Sequence, residues 1–258
     1  MKMLVLGAGL QGSACAYDLL QNDDVTEVRL ADLHTDHVAD FLAPYSGKRL
    51  IPTPLDVRDH EAVGALMREC DAVMSAIPYY LNLDLARQAV AAGVHFCDLG
   101  GNTDIVFAQK QLDAAAREKR ITVIPDCGLA PGMVNIIAEY GISQLDTVDE
   151  VKIFVGGLPQ LPEPPLNYQI VYSLEGVLDY YTTRSWIIRN GVRTRVTALS
   201  EIEPVMFETL GELEAFHTAG GLSTMAFRYE GKIASMEYKT LRYPGHAVIM
   251  TAIRDLGS

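Results

Sequence analysis

"MLVLGAGLQGSACAYDLL", residues 3 to 20, decides the fold. An apolar run leads into Gly7-Ala8-Gly9-Leu10-Gln11-Gly12, and apolar residues at helical spacing follow. A G-x-G-x-x-G turn is a weak signal alone. With a strand before it and a helix after it, it reads as a dinucleotide-binding fingerprint. Gly7 permits the tight turn, Gly9 lets the backbone approach a pyrophosphate, and Gly12 lets the helix pack close to the strand. Leu10 and Gln11 open the helix, whose N-terminus favours negative charge.

The next strand, "EVRLAD", ends on Asp32, twenty positions beyond Gly12. An acid there bonds the ribose hydroxyls, and a 2′-phosphate would meet like charge. NAD is therefore expected over NADP, although His34 and His37 lie close enough in sequence to soften the preference. Asp56 and Val57 follow "IPTPL" at the tip of the third strand, where an acid reaches the adenine edge. Asp56 reads equally as a helix N-cap. "SAIPYY", residues 75 to 80, ends the fourth strand and sets Ile77 and Pro78 beside the adenine ribose and pyrophosphate; Tyr79 and Tyr80 read equally as packing residues.

Strands are expected over residues 2–7, 27–32, 49–55, 71–77, 94–98 and 121–126, with helical stretches such as "HEAVGALMREC" between them. The strands are short and apolar nearly throughout, as in a parallel sheet buried on both faces. After about residue 145 the pattern changes. "EVKIFVGGL" reads as a strand, and "PQLPEPPLNY" is too proline-rich for regular structure. "SWIIRNGVRTRVTA" is a hairpin turning at Asn190-Gly191. "STMAFRYE" and "ASMEYKTLRY" read as further strands. The expected class is α/β: an N-terminal Rossmann doubly wound parallel sheet over residues 1–126, then a C-terminal α+β domain with a mainly antiparallel sheet over 127–258.

A net charge of −12 argues against nucleic-acid binding. The longest apolar runs fall short of a membrane helix, and the N-terminus enters a strand without a signal-peptide pattern. A reduced cytoplasmic compartment is expected, with Cys15, Cys70 and Cys97 as core residues and Cys127 set apart by its position. No spacing among the six histidines and four cysteines suggests zinc, and no metal is expected.

"PDCGLAPGMVN" (125–135) is a second glycine turn, without the fingerprint spacing. Its Asp126 ends the last strand at the carboxyl edge, where ligands of such sheets bind. Asp126 reads either as a helix cap or as the group that holds a substrate amine or a water. His217, in "FHTAGG", has a side chain suited to proton shuttling.

Together "VLGAGLQGSACAYDL", "CDLGGNTDI", "PDCGLAPGMVN", "GGLPQLPEPPLNYQIVYSLEGVLDYYT" and "KTLRYPGH" resemble the saccharopine dehydrogenase-like family, and within it the lysine 6-dehydrogenases. The resemblance implies a C-terminal domain for substrate and dimerisation, and hydride transfer to NAD from a carbon bearing nitrogen. For the lysine branch, it implies oxidative deamination of the side-chain amine to a semialdehyde. It also implies a homodimer or larger homo-oligomer, and catalytic-site residues Tyr168, Tyr172, Glu175 and Arg242 beside Tyr243. Arg242 suits a substrate α-carboxylate and Glu175 an α-amine; surface or interdomain ion pairs are the plainer reading of both.

Two departures stand out. Relatives run on after the stretch matching "RYPGHAVIMTAIRDLG", so a shortened or divergent form is expected. The segment "FHTAGGLSTM" lacks the arginine that the saccharopine-reducing branch carries there. The alternatives are a reductase joining an amine and a carbonyl, of saccharopine or carboxynorspermidine type, and a non-catalytic NAD-binding protein.

Overall fold

The computed structural model describes residues 1–36, 38–170 and 174–257, which fall into two compact units, Met1–Gly128 and Leu129–Ser258. The first unit alternates strand and helix. In chain order it contains β1 (Lys2–Leu6), α1 (Leu10–Gln21), β2 (Glu27–Asp32), β3 (Leu50–Pro54), α2 (His60–Met67) and β4 (Ala72–Ser75). There follow α3 (Asn82–Ala92), β5 (His95–Asp98), α4 (Thr103–Lys110), α5 (Asp113–Lys119) and β6 (Val123–Ile124).

The six strands form a parallel sheet in the order β3-β2-β1-β4-β5-β6. The order reverses between β1 and β4, which places a topological switch point at the end of β1. Successive side chains of β1 feed two different cores. Leu4 and Leu6 pack with Val63 and Met67 of α2 and Leu85 and Ala89 of α3, whereas Met3 and Val5 pack with Ala16 and Leu20 of α1. Each such fully buried side chain contributes about 1.5–3 kcal/mol. That double burial is why the strands read as unbroken apolar runs.

The second unit begins with α6 (Met133–Ser143) and β7 (Glu150–Gly156), then α7 (Leu174–Thr182), β8 (Ser185–Arg189) and β9 (Val192–Val196). It continues with β10 (Glu203–Phe207), β11 (Gly211–His217), α8 (Met225–Tyr229), β12 (Ser235–Arg242) and α9 (His246–Leu256). The sheet runs β10-β11-β12-β8-β9, antiparallel throughout, with β7 parallel along the other edge of β12. The hairpin turns at Asn190-Gly191, both with positive φ (51° and 77°), as a tight turn matching strand twist requires.

One expected strand is a helix. "STMAFRYE" gives α8, because Met225 and Ala226 bury against Ile153, Ile188 and Met236 from one side of a short turn of helix. Aromatic content misleads where packing, not β propensity, decides. Among the described residues no helix is long and apolar enough to cross a membrane.

Candidate functional site

In the first unit, the glycine turn lies at the switch point. Gly7 donates its N–H to Ala31 O (2.8 Å), and Ala76 donates to Leu6 O (2.8 Å), so the turn is fastened to β2 and to the end of β4. A Cβ on Gly12 would sit 1.8 Å from Gly7 O, and one on Gly7 would meet Ala76 O at 2.8 Å. Helix α1 therefore touches the turn backbone directly, and neither position has room for a side chain. No side chain caps α1 and no acid occupies its first turn, which leaves its amide end to an anion.

Asp32 ties the glycine turn to the loop that follows β2. Its Oδ2 accepts the N–H of Ala8 (2.7 Å) and its Oδ1 that of His34 (3.1 Å). Ile77 packs against Gly7 and into the core, Val57 packs against the same core, and Pro78 precedes a short 3-10 turn at Tyr79–Leu81. Asp56 is forked by Arg58 (2.7–3.2 Å), which holds its carboxyl down to about 2. The helix-cap reading of Asp56 fails, because Asp59 caps α2 through the N–H of Ala62 (3.0 Å). The cradle suits a pyrophosphate and a ribose diol; His37 lies outside the described residues.

At the carboxyl edge the turns after β5 and β6 are locked to each other. Asp98 is buried and accepts from Gln109 Nε2 (2.6 Å), the N–H of Gly100 (2.8 Å) and the N–H of Asp126 (3.4 Å). Burial pushes its carboxyl up despite those donors. A Cβ on Gly100 would stand 1.9 Å from Asp126 Oδ1. Asp126 is itself left-handed (φ 59°), so the turn is shaped around its carboxylate. It does not cap α6: Asn135 closes that end, accepting the N–H of Gly132 (2.7 Å) and donating to Gly221 O (2.9 Å). Asp98 and Asn135 escape sequence reasoning because Asp126 and Gly221, which show their roles, are distant in sequence.

In the second unit a buried polar centre forms around Arg242. Its Nε donates to Tyr181 Oη (3.3 Å), and its guanidinium lies 4.5 Å from the Tyr168 ring centroid. Tyr181 Oη lies 2.9 Å from His246 Nε2, and His246 Nδ1 lies 3.1 Å from Leu166 O. A carbonyl only accepts, so Nδ1 carries the proton and Nε2 accepts from Tyr181. The chain of donation runs Arg242 to Tyr181 to His246 to Leu166. Burial, more than the nearby guanidinium, lowers the His246 pKa, and burial raises that of Tyr181.

Glu214 stands across the sheet from Arg242 in register, but its oxygens accept from the N–H groups of Gly245 (2.9 Å) and Ala247 (2.6 Å) at the start of α9. Among the described residues no carboxylate forms an ion pair with Arg242. The hydroxyl of Tyr168 is buried without a hydrogen-bond partner among them. A buried guanidinium without a carboxylate partner, over the ring of a tyrosine whose hydroxyl is unsatisfied among the described residues, is suited to an anionic ligand.

Other expected site residues are not gathered here. Glu175 is exposed in the first turn of α7, and Tyr172 lies outside the described residues. Phe216 pairs with Thr240 and shares the face of Arg242, so His217 points to the opposite face of the sheet. There it is buried beside Glu201 (3.3 Å) and Glu237 (3.8 Å), with Nδ1 3.3 Å from Tyr238 O. Glu201, His217 and Glu237 bring ligand-type atoms within 4.8 Å of one another, drawn from distant stretches that no spacing rule links. Arg189 binds Glu201, and Lys239 binds Glu203 and the Glu201 carbonyl, so Glu201 already has cations of the chain beside it. His217 thus ends β11 as a buried side chain rather than lying in an open loop.

Two family models between them match nearly all of the chain: "Saccharopine dehydrogenase NADP binding domain" over residues 3–124, and "Saccharopine dehydrogenase C-terminal domain" over 128–258. The chain belongs to the saccharopine dehydrogenase family. Mitochondrial alpha-aminoadipic semialdehyde synthase of Mus musculus is 26% identical over 99% of this chain and 28% of its own length. The NADP(+), L-glutamate-forming saccharopine dehydrogenase of Pyricularia oryzae is 30% identical over 80% of this chain and 47% of its own length. This saccharopine dehydrogenase-family chain therefore spans less than half of these curated relatives. Apo saccharopine dehydrogenase (L-Glu forming) from Saccharomyces cerevisiae shares the fold, with a TM-score of 0.79 at 22% identity over 99% of this chain and 58% of that one.

Proposed function

We propose that this chain is an NAD-dependent oxidoreductase that oxidises a carbon bearing an amino group, with the side-chain amine of lysine as its substrate. The observation that carries the reading is Arg242, buried with no carboxylate partner among the described residues, its guanidinium over the ring of Tyr168, whose hydroxyl has no partner among them. One guanidinium and one hydroxyl suit one substrate carboxylate. The Tyr181–His246 chain fixes the guanidinium plane, so the carboxylate meets a preset fork.

NAD, when bound, supplies the hydride acceptor. The turn at Gly7–Gly12 and the open end of α1 face its pyrophosphate, and Asp32 takes the ribose diol. Asp32 also opposes a 2′-phosphate by like charge, which is the basis for NAD over NADP. Asp126, held in a left-handed turn at the carboxyl edge of the first sheet, is the first unit's candidate for holding an amine or a water.

The names of the relatives favour a second reading, in which saccharopine or a similar amine–carbonyl adduct is the substrate. Lysine, saccharopine and an amine panel, each with NAD and with NADP, separate the two by absorbance of the reduced cofactor. Lysine with NAD is expected to give reduced cofactor. Turnover of saccharopine alone would replace the first reading with the second, and cofactor binding without any turnover would overturn both.

A further inference from the structure

The face of the second sheet turned away from Arg242 carries charged groups that the proposed reaction does not use. His217, at the end of β11, is fully buried there. Its Nδ1 lies 3.3 Å from Tyr238 O, a carbonyl that can only accept, so Nδ1 carries a ring proton. Nε2 faces the other way, toward Glu201 Oε2 (3.3 Å) and Glu237 Oε2 (3.8 Å). In the neutral ring Nε2 presents a lone pair, and three acceptors then converge on one point. A backbone carbonyl on the far ring nitrogen is also what orients a metal-ligating histidine.

The cations nearby do not close the balance. Arg189 pairs with Glu201 and Lys239 with Glu203, which leaves Glu237. Lys152 stands opposite Glu237 in the register of β7 and β12, but its ammonium lies on Glu150 (3.1 Å). Among the described residues the Glu237 carboxylate pairs with His217 and with no lysine or arginine.

We propose that His217 Nε2, Glu201 and Glu237 bind a zinc ion. Two ligands on a tetrahedral zinc stand about 3.4 Å apart when each bond is about 2.1 Å. The two imidazole–carboxylate separations, 3.3 and 3.8 Å, bracket that spacing, and all three ligand atoms lie within 4.8 Å of one another. Glu201, the exposed member, gives the ion its way in from solvent. Arg189 Nη2 donates to both Glu201 oxygens (3.0 and 2.7 Å), so it keeps Oε1 while Oε2 takes the ion. An imidazole beside carboxylates suits zinc better than magnesium or calcium, which take oxygen ligands. The ion ties β11, β12 and the segment before β10 together, as a structural clasp outside the substrate site.

The chelator-treated full chain is titrated with zinc chloride by calorimetry, with magnesium and calcium for comparison, and with cobalt(II) by absorbance. The expected result is one zinc per chain, a raised thermal midpoint, no magnesium or calcium uptake at the same concentration, and a cobalt spectrum without a thiolate charge-transfer band. Glu201→Gln and Glu237→Gln should each weaken zinc binding by at least about tenfold. Glu212→Gln, at an exposed acid on the other face of β11, should leave it unchanged. Crystals grown with zinc should show anomalous scattering between Glu201, His217 and Glu237. A thiolate band, unchanged affinity in Glu237→Gln, equal binding of magnesium, or an anomalous peak at another place alone would each overturn the proposal. So would an absence of zinc uptake, which would leave a second ring proton on His217 as the shared charge. Cobalt absorbance and anomalous scattering of the unmutated chain decide the question if the variants do not fold, and none of these readouts depends on substrate or NAD.

Discussion

Gly12 and Arg242 represent two ways in which a single residue matters. Gly12 has no space: its missing Cβ would lie 1.8 Å from Gly7 O, and the neighbour is backbone that cannot swing aside. Gly12→Ala is expected to push α1 off the turn, costing about 1–3 kcal/mol by overpacking, and to abolish NAD binding by calorimetry. Arg242 by contrast is buried with no carboxylate partner among the described residues. Arg242→Lys keeps the charge but loses the fork and the donation to Tyr181, so KM for the amino acid should rise at least tenfold with NAD affinity unchanged. An equal rise in NAD Kd would place Arg242 outside substrate binding. The fingerprint glycines and Asp32 were legible because their partners lie close in sequence or at a fixed offset. Tyr181, His246 and Glu214 were not, because the register of β11 and β12 brings them to Arg242.

Helix α9 depends on an element far from it in sequence. Glu214 of β11 accepts from two of its first amides, at 2.9 and 2.6 Å, and from its buried position sets the angle at which His246 enters the polar centre. Glu214→Ala should cost about 1–3 kcal/mol through orphaned buried donors, read as a lowered urea midpoint. It should also weaken substrate affinity by moving His246. Glu214→Gln should recover part of the stability; no difference between the two variants would reject the capping role. At this scale the parallel strands and the Asn190-Gly191 hairpin were plain from periodicity and turn chemistry. Helix α8 was not, because five residues are too few for a period to show and the pocket of Ile153, Ile188 and Met236 dictates its form.

For the whole molecule, each unit carries its own thermodynamic signature. The second holds His246, whose folded pKa is lowered from 6.5 by burial. Below pH 6.5 the unfolded chain binds that proton before the folded one does, so stability falls as pH drops through the window, then levels once both states are protonated. Above 6.5 this group contributes no slope. The first unit holds Asp98, with its pKa raised from 3.8, which has the opposite sign: stability declines as pH rises from 3.8 through the raised value. The glycine turn, its strands and Asp32 all lie within Met1–Gly128, together with a core on each side of the sheet. A fragment of residues 1–128 is therefore expected to fold and bind NAD by itself. At a hundredfold excess over Kd, NAD should stabilise it by about 2.7 kcal/mol, while a fragment of residues 129–258 should gain nothing. Chemical denaturation of each fragment with and without NAD, repeated from neutral pH downward, reads both effects. NAD stabilisation of the second fragment, or its absence from the first, would place the dinucleotide outside the Gly7–Gly12 turn.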